Sequence, residues 1–177
     1  DELVDAMLAT GKPVIVFHGD GQDIETIARR WGVEAGSPVP ANVADYLLVF
    51  PEADPRLSGG WVHFHKSDGR FPTLDLEFID LLVQEITTTE YSTGSSQVRY
   101  VSADSTLVFA AGFSSGAGMV WQLLNSDRAS RFRGFAAVGL ALDPEKAQRY
   151  RQQLEAAGEE LQPAPVMYVH GTGEFTY

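Results

Sequence analysis

The fold of this chain is restricted most by five apolar runs that recur between helical or polar stretches. A strand with one face in water alternates apolar and polar residues, whereas these runs are almost continuously apolar. They predict the central strands of a parallel sheet that is covered on both faces. The runs are PVIVF (13–17), YLLVF (46–50), TLVFAA (106–111), GFAAVGL (134–140) and PVMYV (165–169).

Helical patterns occupy the intervals between the runs. Apolar residues have helical spacing in 23–31 and in 76–86, and in the second stretch they are Phe78, Ile79, Leu82, Val83 and Ile86.

A third helix is predicted by its end signals. Asp143 provides an N-cap, Pro144 suits the first turn, and Glu145 is acidic in that turn. We expect this helix to lie on the surface and to run to about Ala157, with Gly158 at its C-terminus.

The rest of the chain shows neither an internal repeat nor a linker. Residues 87–97, TTTEYSTGSSQ, have no periodicity and predict an exposed loop. The alternation of strand and helix predicts one α/β domain over 1–177, with ligands at the carboxyl ends of the strands.

Composition argues against several classes of partner and site. The formal net charge is −11, and Lys and Arg do not cluster as nucleic-acid binding requires. The chain has no cysteine, so it has neither a disulfide framework nor a thiolate metal site. No run reaches about 18 apolar residues, so we expect no membrane span, and the first residues do not resemble a signal peptide.

Residues 112–116, GFSSG, fit the pattern G-x-S-x-G. They follow the run 106–111 and precede the helical pattern of AGMVWQLL (117–124), which is the strand, turn and helix order of a nucleophile elbow. We therefore interpret Ser114 as a nucleophile. The alternative is a glycine-rich turn in which the serine caps the helix.

Two backbone amides are candidate oxyanion donors for such a serine. Ser115 begins the following helix, where the positive end of the helix dipole lies. Asp20 follows the His18-Gly19 pair after the first run, and Gly19 lets the backbone come close to a substrate. The alternative for the second site is an ordinary glycine-rich turn with the His18 ring packed beneath it.

These motifs together resemble the α/β-hydrolase esterases of the polyhydroxybutyrate depolymerase and feruloyl esterase type. The resemblance runs from Lys12 to Glu174 and includes WVHF (61–64), FIDLLVQEI (78–86), GFSSGAGM (112–119) and PVMYVHGTGE (165–174). It implies a three-layer α/β-hydrolase sandwich with a mainly parallel central sheet, and a secreted or periplasmic protein.

The resemblance also implies the acid of a catalytic triad. The family carries it at the end of an H-G-T-x-D segment, which here ends in Glu174. Either carboxylate can orient an imidazole, although a solvent-facing loop acid is the alternative. The triad histidine should come later in the chain, and none follows before Tyr177. The chain also lacks the opening strands of the family before its first apolar run. We therefore expect a longer natural chain, truncated here at both ends, with a final strand and that histidine beyond 177.

An aromatic loop beside the substrate is implied in the same way. The resemblance assigns substrate binding to Trp61, His63 and Phe64, with plain packing as the alternative for Trp61. His63 and His65 have a spacing that would also let one reach the nucleophile or both bind a metal, but no clear third ligand accompanies them. We expect no metal and no other cofactor.

The sequence therefore predicts a serine-dependent carboxylic ester hydrolase that works through an acyl-enzyme. Its substrate would be a polyester, a feruloylated polysaccharide or another acyl ester, and a peptidase on the same fold is a near alternative. The competing hypothesis is a catalytically inactive hydrolase-like domain that binds a polysaccharide, a polyester or a protein. A nucleotide-binding domain is disfavoured, since neither G-x-G-x-x-G nor a G-K-[ST] ending follows any run.

Overall fold

A computed structural model of the chain describes residues 11–34, 37–38, 40–43, 46–54, 60–62, 74–88, 90–93, 97–100, 103–158 and 163–171. Helices and strands alternate along most of these ranges, as the sequence predicts for an α/β protein, and three strands follow one another between 90 and 113. The elements are β1 (Lys12–Phe17), α1 (Ile24–Arg30), β2 (Tyr46–Val49), α2 (Leu74–Thr88), β3 (Glu90–Thr93), β4 (Gln97–Tyr100), β5 (Phe109–Phe113), α3 (Ser115–Leu124), a 3-10 helix (Asp127–Arg131), β6 (Gly134–Val138), α4 (Pro144–Ala156) and β7 (Val166–Val169).

Five of the strands form one sheet in the order β2-β1-β5-β6-β7. Every pair of neighbours in it is parallel. The predicted α/β class with a parallel sheet is therefore confirmed. The remaining strands, β3 and β4, pair with each other antiparallel.

The strand order reverses direction between β1 and β5. The chain moves from β1 to β2 on one side, and then crosses back to β5 on the other side of β1. In an open parallel sheet, such a reversal opens a crevice at the carboxyl ends of the two strands, where ligands bind. The residues that directly follow β1 and β5 are therefore the first candidates for a functional site.

Apolar residues of β1 alternate between two core clusters on opposite faces of the sheet. Ile15 and Phe17 join the larger cluster, which includes residues of α2, α3 and α4. Val14 and Val16 pack with Ile27 of α1 in the smaller cluster. Helices thus pack on both faces, which follows from right-handed crossovers that run in opposite directions along the sheet.

Two of the runs predicted as central strands lie at the edges of the sheet that the described residues form, so that prediction is wrong for both. The run 46–50 forms β2 at one edge, and the run 165–169 forms β7 at the other, where its residues 166–169 are 43–59% exposed. A continuous apolar run indicates a strand of a parallel sheet, but it carries no information on which neighbours will pair with it.

The strand predicted at 106–111 begins later, at Phe109. Its first residues belong instead to a turn, in which Asp104 Oδ1 accepts hydrogen bonds from the amide and the hydroxyl of Thr106. These bonds also hold the pKa of the Asp104 carboxyl below its ordinary value. An Asx turn of this kind competes locally with the strand.

The prediction of a loop over 87–97 is also wrong for the residues of that stretch that the structure describes, 87–88, 90–93 and 97. Thr88 still belongs to α2, and the strands β3 and β4 pair in an antiparallel hairpin. Serine and threonine content suggested a loop, whereas tyrosine, threonine and valine in the same stretch favour strands.

The predicted helices are confirmed, with one departure. The apolar face of α2 buries Ile79 and Ile86, but Phe78 is 40% exposed. Asp143 caps α4, and Gly158 follows that helix with a φ of 80°. Within the described ranges, no helix has the length and apolar character needed to cross a membrane.

The cap of α4 provides a test of this local structure. Asp143 Oδ1 accepts hydrogen bonds from the amides of Glu145 and Lys146. We expect Asp143→Ala to lower the free energy of unfolding by about 1 kcal/mol, because two first-turn donors lose their acceptor. Asp143→Asn retains an acceptor and should remain close to wild type. Urea denaturation measures both, and equal stability of the two variants would contradict the capping role.

Candidate active site

Ser114 occupies the corner between β5 and α3 in a strained backbone conformation. Its φ is 53° and its ψ is −117°, and among the described residues it is the only non-glycine residue with positive φ. This is the geometry of the first central residue of a type II′ turn, which glycine normally occupies. The strain costs on the order of 1–3 kcal/mol, so the surrounding structure must impose it.

Two hydrogen bonds and the helix itself hold this corner. The Ser114 amide donates to the Val138 carbonyl at the end of β6, at 2.8 Å, and the Ser114 carbonyl accepts from the Gly118 amide at 3.2 Å. The side chain is half-buried and does not cap α3. The alternative of a capping serine is therefore wrong, and the hydroxyl serves no helix-capping role.

The glycines on either side of Ser114 are required by close backbone contacts. A Cβ on Gly112 would lie 2.2 Å from the carbonyl oxygen of Gly116, and a Cβ on Gly116 would lie 2.2 Å from the carbonyl oxygen of Phe17. Neither distance is compatible with a side chain. The first turn of α3 thus lies directly against the end of β1, and the G-x-S-x-G pattern is explained by sterics.

Ser115 begins α3 beneath this corner and is buried. The first-turn amides of a helix point toward its N-terminus, where the helix dipole is positive. The Ser115 amide thus belongs to the positive end of a helix that starts next to the Ser114 hydroxyl. This location suits the oxyanion role predicted for it.

The loop that follows β1, residues 18–23, lies on the other side of the same crevice. A Cβ on Gly19 would lie 3.3 Å from Cδ1 of Phe113, the residue before Ser114. Phe113 is fixed in turn by the guanidinium of Arg30, which lies 4.5 Å from the centre of its ring. Asp20 follows Gly19 and is exposed. The sheet therefore brings the predicted donor loop beside the predicted nucleophile.

His18 is a buried histidine whose ring links two loops. Its Nδ1 donates to the Gly19 carbonyl at 2.9 Å, and its Nε2 accepts from the amide of Ala53 at 3.1 Å. A ring with one donating and one accepting nitrogen is neutral. The ring packs beneath the loop, as the alternative for this motif proposes, and both of its nitrogens are used.

Trp61 is fully buried below this loop, with 0% of its surface exposed. Its ring lies edge-on to Phe17 at 5.1 Å and next to His18 at 5.3 Å. Its Nε1 donates to the His18 carbonyl at 3.0 Å. This burial agrees with plain packing and does not fit a side chain that lines an open pocket.

Several predicted site residues lie outside the described residues. They are Glu174, His63, Phe64 and His65, and their roles stay predictions. The motif that ends in Glu174 is described as far as Gly171. Its His170 directly follows β7 and is exposed, and the His170 ring lies 5.7 Å from that of Tyr168.

The structure describes two histidines, His18 and His170, and brings neither into a hydrogen bond with Ser114. The nitrogens of His18 are engaged elsewhere, and His170 follows a strand that is two positions from β5, about 10 Å across a sheet. In the described part of the chain, no three His, Asp or Glu side chains form a group that could hold a metal.

Sequence reasoning missed the residues that hold the β1 loop from outside it. Ala53 contributes only its backbone amide, which donates to the His18 ring. Asp75, at the start of α2, accepts a hydrogen bond from the amide of Val62. No sequence pattern marks such long-range backbone contacts. Gln22 lies in the loop itself, where its Oε1 accepts from the Gly19 amide at 3.3 Å, a role that the sequence pattern did not indicate for this side chain.

Comparison with models of known protein families finds no match for this chain, and neither does comparison with curated proteins. The esterase resemblance therefore rests on its motifs and stays a prediction. What the structure contributes is the geometry around Ser114.

The contact between α3 and β1 generates a test. We expect Gly116→Ala to lower the free energy of unfolding by at least about 3 kcal/mol, because the new methyl group would meet the Phe17 carbonyl and push α3 away from β1. Urea denaturation followed by circular dichroism gives the value.

Gly11→Ala is the matched control for this substitution. A Cβ there would have ordinary contacts at 3.9 and 4.0 Å, at the beginning of β1. The control should fall within about 1 kcal/mol of wild type, since no atom has to move. A Gly116→Ala protein as stable as Gly11→Ala would refute the close contact.

Proposed function

We propose that this protein is a serine-dependent carboxylic ester hydrolase of the three-layer α/β-hydrolase type. The observation that carries the proposal is the conformation of Ser114, with φ 53° and ψ −117°, between two glycines that the local contacts require. A strained turn of this kind presents a hydroxyl at the carboxyl edge of a parallel sheet. Its position beside the strand reversal between β1 and β5 supports the same reading.

In the proposed reaction, Ser114 Oγ attacks the ester carbonyl carbon and its proton passes to a histidine outside the described residues. The carbonyl oxygen becomes an oxyanion, which the amides of Ser115 and Asp20 stabilise. The same histidine then protonates the leaving alcohol, and an acyl-enzyme remains on Ser114. Water attacks this ester in turn and releases the acid. Glu174 is proposed to orient the histidine.

The substrate class follows from the resemblance: a polyester, a feruloylated polysaccharide or a smaller acyl ester. The chemistry of the described residues supports any of these, because the reacting group is the same ester in each. A small chromogenic acyl ester is therefore a sufficient first substrate.

The test is covalent labelling of the full-length protein with a fluorophosphonate, followed by intact mass and by the rate of ester hydrolysis. We expect one adduct on the wild type and none on Ser114→Ala, and a loss of kcat/KM of roughly 10⁴-fold or more in that variant. Ser115→Ala is the matched control, because it removes a neighbouring hydroxyl and keeps the backbone amide. It should be labelled and should retain most of its activity.

Absence of an adduct on the wild type would reject the enzyme. It would favour the competing hypothesis, a hydrolase-like domain that binds a polysaccharide, a polyester or a protein without cleaving it. Labelling that persists in Ser114→Ala would reject this serine as the nucleophile.

A further inference from the structure

We propose that Trp61 is a positioning residue for the second oxyanion donor. This inference rests on the proposed function, because it assigns Trp61 a part in the hydrolysis that Ser114 performs. Trp61 would act through the backbone of His18 and would not touch the substrate.

The first step of the argument is the peptide plane between His18 and Gly19. Its carbonyl oxygen accepts the hydrogen bond from Trp61 Nε1 at 3.0 Å, and its amide donates to Gln22 Oε1 at 3.3 Å. Carbonyl and amide of a trans peptide point in opposite directions. One partner at each end therefore fixes the plane against rotation.

The next plane, between Gly19 and Asp20, is oriented by donors on its carbonyl. That oxygen accepts from His18 Nδ1 at 2.9 Å and from the Gln22 amide at 3.2 Å. The Asp20 amide is trans to the same carbonyl, so it points away from the buried His18 ring. A donor to a substrate oxygen must likewise point away from the packed core.

Because of the flexible backbone at Gly19, the hydrogen bond from Trp61 to the His18 carbonyl is needed to hold the loop in one conformation. Glycine adopts almost any backbone conformation, so the two planes that meet at Gly19 can rotate unless hydrogen bonds hold them. Among the hydrogen bonds between described residues, the bond from Trp61 Nε1 is the one that reaches the carbonyls of these two planes from outside the loop. Loss of the Trp61 N–H would leave the His18 carbonyl buried without this partner, which favours rotation of the plane toward another donor.

Trp61 is itself held firmly enough to perform this role. Its ring packs edge-on against Phe17 of β1, and the amide of the next residue, Val62, donates to the buried carboxylate of Asp75. Asp75 lies in the first turn of α2. Contacts with a strand and with a helix thus hold the indole N–H of Trp61 in position.

The kinetic consequence is specific. An oxyanion donor acts on charge that develops in the transition state, so its displacement lowers kcat and leaves KM almost unchanged. Complete loss of one donor typically costs a hundredfold to a thousandfold in kcat. A displaced donor should cost roughly tenfold to a hundredfold.

The experiment compares Trp61→Phe with Trp121→Phe in the full-length protein. Trp121 is also buried, and its Nε1 donates to the Leu140 carbonyl at 2.7 Å. The two variants lose the same group and the same kind of bond, but only one of these bonds holds the β1 loop. We expect kcat of Trp61→Phe to fall roughly tenfold to a hundredfold at unchanged KM, and kcat of Trp121→Phe to stay within about threefold of wild type.

Amide hydrogen exchange of Gly19 tests the positioning without turnover. The Gly19 amide should lose protection by roughly tenfold in Trp61→Phe, the equivalent of one net hydrogen bond, and should keep it in Trp121→Phe. If Trp61→Phe does not fold, benzothienylalanine at position 61 replaces the indole N–H by sulfur with almost no change in shape, and the same two measurements apply.

The outcomes separate this inference from the proposed function. An active wild type together with unchanged kcat and unchanged Gly19 protection in the Trp61 variant would overturn the inference alone. An inactive, unlabelled wild type would reject the enzyme, and the exchange measurement would still decide whether Trp61 positions the loop. A rise in KM at constant kcat would overturn the inference as well, since it would indicate contact with the substrate.

Discussion

The contact between Gly116 and the end of β1 is the constraint on which the rest of the site depends. The first turn of α3 lies so close to the Phe17 carbonyl that only hydrogen fits at that Cα. Because α3 is fixed there, the chain must turn sharply between β5 and α3, and Ser114 takes the strained corner. The same contact keeps the loop after β1 beside the corner. One steric condition therefore sets two parts of the site.

The folding pattern and the elbow could be predicted from the sequence because their signals are local. The five apolar runs all contribute strands, and the glycines around Ser114 mark the turn. The start of β5 was missed because Asp104 forms a turn with Thr106 that competes with the strand. The edge positions of β2 and β7 were missed because pairing depends on the whole sheet.

The tethering of the β1 loop could not be predicted from the sequence. It depends on bonds between residues far apart in the chain, from Trp61 to His18 and from Ala53 to His18. The aromatic loop suggested substrate contact for Trp61, since aromatic residues suit both pockets and cores. Burial and the direction of one N–H distinguish the two, and neither is visible in a sequence pattern. His63, Phe64 and Glu174 lie outside the described residues and remain predictions.

The residue type at position 114 bears on two hypotheses for this corner, a catalytic role and a purely structural one. If the turn served only to join β5 to α3, glycine would relieve the strain of a positive φ, which for serine is on the order of 1–3 kcal/mol. The Ser114 side chain does not offset this strain by capping α3, since it makes no capping hydrogen bond. The proposed nucleophile supplies another reason for a serine in this conformation, because the strained corner presents the hydroxyl at the strand reversal where parallel sheets bind ligands.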